Sequence, residues 1–94
     1  MSELSIGDFE SRLGEALRIE FEDGEVDLKL VAVESLPGSP REAGGFRMEF
    51  LGPLEKALPQ GVYPFALGGD EPTWIFIVPL GPAGQDMRYE AVFY

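Results

Sequence analysis

The sequence LRIEFEDGEVDLKL, from Leu17 to Leu30, is the clearest local indication of structure in the chain. Two runs of alternating apolar and charged residues stand on either side of Asp23-Gly24, and this dipeptide favours the two-residue type I′ turn of a β-hairpin. A loop of that length fixes which residues of the two strands face each other. It pairs Glu22 with Glu25, Phe21 with Val26, Glu20 with Asp27, Ile19 with Leu28, Arg18 with Lys29 and Leu17 with Leu30.

This pairing sorts the hairpin into an apolar face and an acidic face. The apolar face is predicted to lie on the core and consists of Leu17, Ile19, Phe21, Val26, Leu28 and Leu30. The acidic face carries Glu20, Glu22, Glu25 and Asp27, with like charges directly opposite one another, which weakens a sheet. Three interpretations of it stay open: a solvated face that keeps the protein soluble, a surface for a basic partner, and a weak divalent-cation site. The ligand spacing of a calcium loop is not met.

Short apolar runs separated by turn residues continue to the end of the chain. After Leu30 the alternation changes parity, which predicts a bulge or a passage between sheets. Pro64 predicts an edge position or a bulge in its strand, because it has no N–H to donate. The run 73–80 is apolar on both faces, which predicts a central strand. The strands predicted after the hairpin cover 46–50, 62–67, 73–80 and 87–94, with an exposed loop at 36–45 and one helical turn at 54–58.

A short helix is predicted before the hairpin, with Asp8 as its N-cap and Gly14 as its end. Its apolar face consists of Leu4, Ile6, Phe9 and Leu13. Because so short a helix is not stable alone, we expect it to lie as a lid over an open end of the sheet. The fold predicted is mainly β: a small six-stranded antiparallel barrel or two-sheet sandwich with one short N-terminal helix, in a single domain over residues 1–94.

Composition excludes several classes of function. The chain has 94 residues, of which 17 are acidic and 7 basic, and its net charge of −10 repels phosphate backbones and anionic lipid. We therefore expect no nucleic-acid or membrane partner. With no cysteine or histidine, the chain lacks the commonest nucleophile, base and metal ligands. We expect no enzyme, no cofactor and no metal site, and, because no secretion signal is present, a cytoplasmic protein.

Aromatic residues are the remaining candidates for a binding site. In a domain this small they are usually part of the core, and we expect that of Tyr63, Phe65, Trp74, Phe76, Tyr89 and Phe93. The alternative is that they line a ligand pocket at the mouth of a barrel.

Four motifs make the second half of the chain resemble a known family. They are FLGP at 50–53, LPQGVY at 58–63, FIVP at 76–79 and YEAVF at 89–93. The chain resembles, over about its C-terminal half, a family of small bacterial proteins known as a domain of unknown function (DUF6916). The motifs are mostly glycine, proline and aromatic positions, which specify a fold rather than chemistry. The resemblance implies genes of phage-tail-collar-like proteins nearby, and hence a role in a tail-like or surface assembly.

The function we expect is that of a non-enzymatic structural or protein-interaction module that binds a protein partner or itself, as an accessory of a phage-tail-like or surface assembly. Two alternatives remain: an acidic inhibitor that mimics DNA and binds a basic partner, and a small ligand-binding barrel. If the last strand or the Pro64 strand is an edge, its unpaired backbone groups are expected to pair with a second copy or a partner strand.

Overall fold

Six antiparallel strands form the protein, and their bounds are β1 (Ala16–Phe21), β2 (Gly24–Leu36), β3 (Gly45–Pro53), β4 (Gly61–Ala66), β5 (Thr73–Ala83) and β6 (Asp86–Phe93). The computed structural model describes residues 4–22, 24–42 and 44–94. In it the strands close into a barrel in the order β1-β2-β3-β6-β5-β4. A helical turn, α1 (Gly7–Glu10), precedes β1, and a 3-10 turn, η1 (Leu54–Lys56), follows β3. The predicted fold class is confirmed, as a barrel and not a sandwich.

The first hairpin forms with a pairing two residues away from the predicted one. Leu17 faces Leu28 instead of Leu30, and Gly24 lies in β2 opposite Phe21. The predicted pairing was wrong: it put three like-charged pairs opposite one another, among them Arg18 and Lys29. In the structure Arg18 faces Asp27, and opposite charges across a sheet are favourable where like charges are not.

A shift of two residues leaves each side chain on its own face of the sheet, because side-chain direction repeats every two residues. Five of the six apolar hairpin residues are therefore buried as expected: Leu17, Ile19, Val26, Leu28 and Leu30. Phe21 is the exception, with 36% of its surface exposed. Phe21 faces Gly24 at the end of the hairpin ladder. Its ring packs in a T-shaped arrangement with that of Tyr63, with 6.0 Å between the ring centroids.

The inward side chains of all six strands fill the barrel. Phe46, Met48 and Phe50 alternate inward along β3 and have no exposed surface. The predicted change of parity in β2 is a bulge between Leu30 and Ala32. Tyr89 is also fully buried, and its hydroxyl accepts the Leu58 N–H at 2.8 Å, so the one polar atom it brings inside has a partner.

Closure of the barrel pairs the last strand and the Pro64 strand on both sides. β6 pairs with both β3 and β5, and β4 pairs with both β1 and β5. The condition set for strand-mediated association, that the last strand or the Pro64 strand is an edge, is therefore not met. Pro64 is accommodated because the ladder between β1 and β4 consists of Arg18 opposite Ala66 and Ile19 opposite Phe65, and Pro64 lies beyond it.

Helix α1 covers the end of the barrel at which β3 begins and β6 ends, as predicted. Phe9 is fully buried, and its ring centroid lies 5.7 Å from that of Phe46 and 6.3 Å from that of Phe93. Leu4 and Ile6 are partly buried against the same core. Leu13, which the periodicity placed on this face, is 53% exposed because the helix ends at Glu10, before it could turn Leu13 inward.

The helix start also differs from the prediction. Ile6 is the N-cap residue and Asp8 lies inside the first turn. The Asp8 carboxylate reaches back to accept the Ser5 N–H at 2.8 Å, so it satisfies a backbone donor before the helix instead of one within it. Gly14 has a φ of 89°, a conformation that suits glycine where the chain leaves the helix for β1.

Candidate functional site

The four candidate residues of the hairpin, Glu20, Glu22, Glu25 and Asp27, are exposed, but they do not form one cluster of free carboxylates. Arg18 lies among them, with its Nε 3.1 Å from Glu25 Oε2 and 3.7 Å from Asp27 Oδ1. Glu20 faces Glu25 across the hairpin, and Glu22 is next to the turn. The structure therefore divides the candidate surface into a pair that Arg18 partly neutralises, Glu25 and Asp27, and the separate Glu20 and Glu22.

A second group of carboxylates surrounds Arg47 on the outer face of β2, β3 and β6. Arg47 Nη1 lies 2.7 Å from Glu34 Oε1, and its Nη2 lies 2.7 Å from both Glu49 Oε1 and Glu90 Oε2. Arg88 Nη2 adds a contact of 3.2 Å to Glu49 Oε2. The hydrogen bond from Arg47 holds the pKa of Glu49 below its ordinary value. Three glutamates and two arginines leave this network with a charge of only about −1, and Arg47 contacts all three glutamates.

The outer face of β4 and β5, across the barrel from β2 and β3, is apolar and exposed. Val62 faces Phe76 and Pro64 faces Trp74 across the two strands. Their side chains point outward, and the exposed fraction is 61% for Trp74, 55% for Val62 and 49% for Phe76. We call the surface formed by Val62, Pro64, Trp74 and Phe76 the aromatic face. The prediction that Trp74 and Phe76 belong to the core was wrong, whereas Phe65 and Tyr89 are buried and Tyr63 and Phe93 partly buried, as expected.

Beside the aromatic face the surface forms a cleft of about 290 Å³. Its apolar walls come from Trp74 and the two prolines, Pro64 and Pro72, and its acidic rim consists of Glu20, Asp70 and Glu71. We call this the Trp74 cleft. Within the described ranges, no arginine or lysine forms an ion pair with these three carboxylates. The cleft thus combines an exposed indole with negative charge that the barrel does not neutralise.

Sequence reasoning missed this site because β5 is apolar on both faces. Inward Ile75 and Ile77 alternate with outward Trp74 and Phe76, and such a run looks the same whether its outer side is covered or open to solvent. The available signal was the loop that precedes β5, where Asp70 and Glu71 mark a solvated start of the strand next to Trp74.

The described residues give little support for a metal site or for a ligand cavity inside the barrel. In the part of the chain that the structure describes, no three acidic side chains gather closely enough to hold a metal ion. The barrel interior is occupied by large side chains, with Ile19, Phe50 and Phe65 among those that have no exposed surface. What the arrangement offers is contact chemistry: apolar area, an indole ring and carboxylates.

Comparison with known proteins places the chain in a family. The sequence profile of a domain of unknown function (DUF6916) matches residues 4–93, so the similarity extends beyond the C-terminal half to nearly the whole chain. Neither the search of curated proteins nor that of solved structures found a match. Neither helical segment in the described ranges has the length and apolar character that a membrane span requires. The chain belongs to the DUF6916 family.

Proposed function

We propose that this protein is a non-enzymatic protein-interaction module that binds its partner through the aromatic face. The observation that carries the proposal is the outward exposure of Trp74, Val62 and Phe76 on adjacent strands of a barrel that has a complete core without them. Contiguous exposed apolar surface on a small protein marks a binding site more often than chance placement. Tryptophan is also the residue type most enriched among those that dominate interface energies.

The rest of the barrel supports this choice of face. On the opposite side, Arg47 already binds three glutamates, so a partner docking there would have to replace satisfied contacts. The filled interior gives no support to the alternative of a ligand held inside the barrel. A tail-like or surface assembly, which the family resemblance implies, is the setting that we propose for such a module.

Site-specific photo-crosslinking in cells of the native host tests the proposal. A benzophenone amino acid replaces Phe76 in one variant and Val31 in the control. Val31 is 36% exposed and lies on β2, which is opposite β5 in the barrel order. We expect a discrete crosslinked protein from position 76 and none from position 31. No crosslink at 76, or equal crosslinking at both positions, would contradict the proposal.

A further inference from the structure

We propose that the partner presents a lysine or arginine side chain that docks in the Trp74 cleft, with its cationic group over the indole and within reach of the acidic rim. This inference rests on the proposed function and adds the chemistry of the partner to it. The aromatic face supplies the apolar contact, and the cleft at its edge selects a basic segment over a neutral one.

The cleft suits a cation on two independent grounds. An ammonium or guanidinium group is attracted to the face of an aromatic ring, most strongly to tryptophan, and 61% of the Trp74 surface is open to receive it. Carboxylates also accept short, strong hydrogen bonds from such groups. Glu20 comes from β1, whereas Asp70 and Glu71 come from the loop between β4 and β5, so the rim approaches a docked cation from two sides.

Exposed carboxylates alone are an ordinary solvated surface. The carboxylates of the cleft differ from the other acidic groups of the barrel in their ion pairing. Arg18 partly neutralises Glu25 and Asp27, and Arg47 binds the glutamates of β2, β3 and β6. At the Trp74 cleft, in contrast, the described residues place no basic side chain in ion-pair contact with the rim, although an apolar wall lies beside it. The complementary charge is therefore expected from outside the chain.

A second copy of this chain is a poor source of that charge. Two copies at a net charge of −10 each repel one another. Five of the seven basic residues already bind groups of the barrel: Arg12, Arg18, Arg41, Arg47 and Arg88. Charge complementarity therefore favours a different, basic protein as the occupant.

Fluorescence of Trp74 reports on the cleft directly, because it is the only tryptophan in the chain. The probe is a hexa-arginine amide peptide, with a hexa-glutamate peptide as its charge-reversed counterpart. We compare the unaltered protein with the triple variant Glu20→Gln, Asp70→Asn and Glu71→Gln. The matched control is Glu10→Gln, Glu15→Gln and Glu55→Gln, in which three exposed carboxylates elsewhere are neutralised. Both triple variants carry the same net charge.

We expect a saturable change in emission with hexa-arginine and none with hexa-glutamate. Neutralising the rim should weaken binding by about tenfold, because three exposed charge contacts, each of modest strength, are lost together, while the control triple should stay within about twofold. Trp74→Leu, measured by calorimetry, should also weaken binding.

Equal weakening by the two triple variants would overturn the inference, since net charge and not the cleft would then explain the binding. Absence of a saturable signal in the unaltered protein would overturn it as well. The crosslink at position 76 separates this failure from that of the proposed function. A crosslink that persists at full yield in the rim triple variant leaves the aromatic face as the interface and removes the cation site.

Discussion

Two side chains on the same face of β1 contribute very differently to the fold. Ile19 has no exposed surface, whereas Phe21, two residues further along, is 36% exposed at the rim. Burial, and not apolar character alone, decides what a side chain contributes, because the free energy gained scales with the apolar area removed from water. Phe21 therefore packs mainly against Tyr63 at the rim and contributes less to the core.

Truncation of these two residues should show the difference. Ile19→Ala leaves a cavity in a filled barrel and should lower the free energy of unfolding by about 2–4 kcal/mol. Phe21→Ala removes a larger side chain but should cost less than about 2 kcal/mol, because much of that surface is already in water. Urea unfolding measures both. A larger loss for Phe21→Ala than for Ile19→Ala would contradict the placement of Phe21 at the rim and of Ile19 in the core.

At the scale of the elements, the outer surface of β3 ties three strands together through one arginine. Glu34 on β2, Glu49 on β3 and Glu90 on β6 all contact Arg47. The side chains of Arg47 and Glu49 are 18% and 21% exposed, so solvent screens their ion pair less than the pair of Arg18 and Glu25, which are 52% and 53% exposed. This network is expected to matter for stability, and the hairpin pair much less.

The lowered pKa of Glu49 predicts how the network responds to acid. Because its hydrogen bond with Arg47 lowers the folded-state pKa of Glu49 below the ordinary 4.5, its contribution is complete above that pH and is lost as pH falls through the lowered value. Glu49→Gln should therefore melt at a lower temperature than the unaltered protein at neutral pH, and the difference should shrink below pH 4.5. Thermal melts across this range measure it. A difference that grows on acidification would contradict the assignment.

Besides the buried Phe9, a side chain of the loop between β2 and β3, Arg41, holds the lid in place. Arg41 Nη2 donates to the Leu4 carbonyl at 2.7 Å and Nη1 donates to the Gly44 carbonyl at 2.5 Å. Its guanidinium carbon lies 5.6 Å from the Phe46 ring centroid and 5.5 Å from that of Phe93. Arg41 therefore fastens the segment before α1 to the rings that the helix covers.

Arg41→Met keeps an aliphatic stem and removes the donors, so it should lower the free energy of unfolding by about 1–3 kcal/mol. Cleavage by a protease near residues 4–14 should become faster, because the lid loses its attachment. Lys56→Met, on exposed η1, removes the same charge and is the control. Unchanged cleavage in Arg41→Met, or an equal change in the control, would show that Arg41 does not hold the lid.

The elements themselves were predictable because two local rules act on them. Turn residues set where strands end, and alternation sets which side faces inward. Phe46, Met48 and Phe50 are buried for this reason. The hairpin pairing was not predictable from the turn dipeptide, because the charge contact of Arg18 with Asp27 arises only once the strands meet. Closure, which removes the edges, depends on strand order, and no local pattern encodes strand order.

At the scale of the whole molecule, the negative charge is distributed unevenly. The sequence identified an acidic surface at Glu20, Glu22, Glu25 and Asp27, and of these Glu20 lies on the rim of the Trp74 cleft. The other rim residues come from a loop about 50 residues away in sequence, so their proximity follows only from the pairing of β1 with β4. A net charge of −10 therefore predicts a basic partner in general but not the place at which that partner binds.

This uneven surface leads to the prediction that partners bind the side of the barrel formed by β4 and β5. Hydrogen–deuterium exchange is the direct test. The partner that the crosslink at position 76 identifies is purified and mixed, without crosslinking, with the unaltered protein. Exchange is then compared with that of the unaltered protein alone. We predict slower exchange in peptides covering 61–77, and unchanged exchange in those covering 31–36 and 46–50 on the opposite side. Protection confined to 31–36 and 46–50, or spread evenly over the barrel, would contradict the claim.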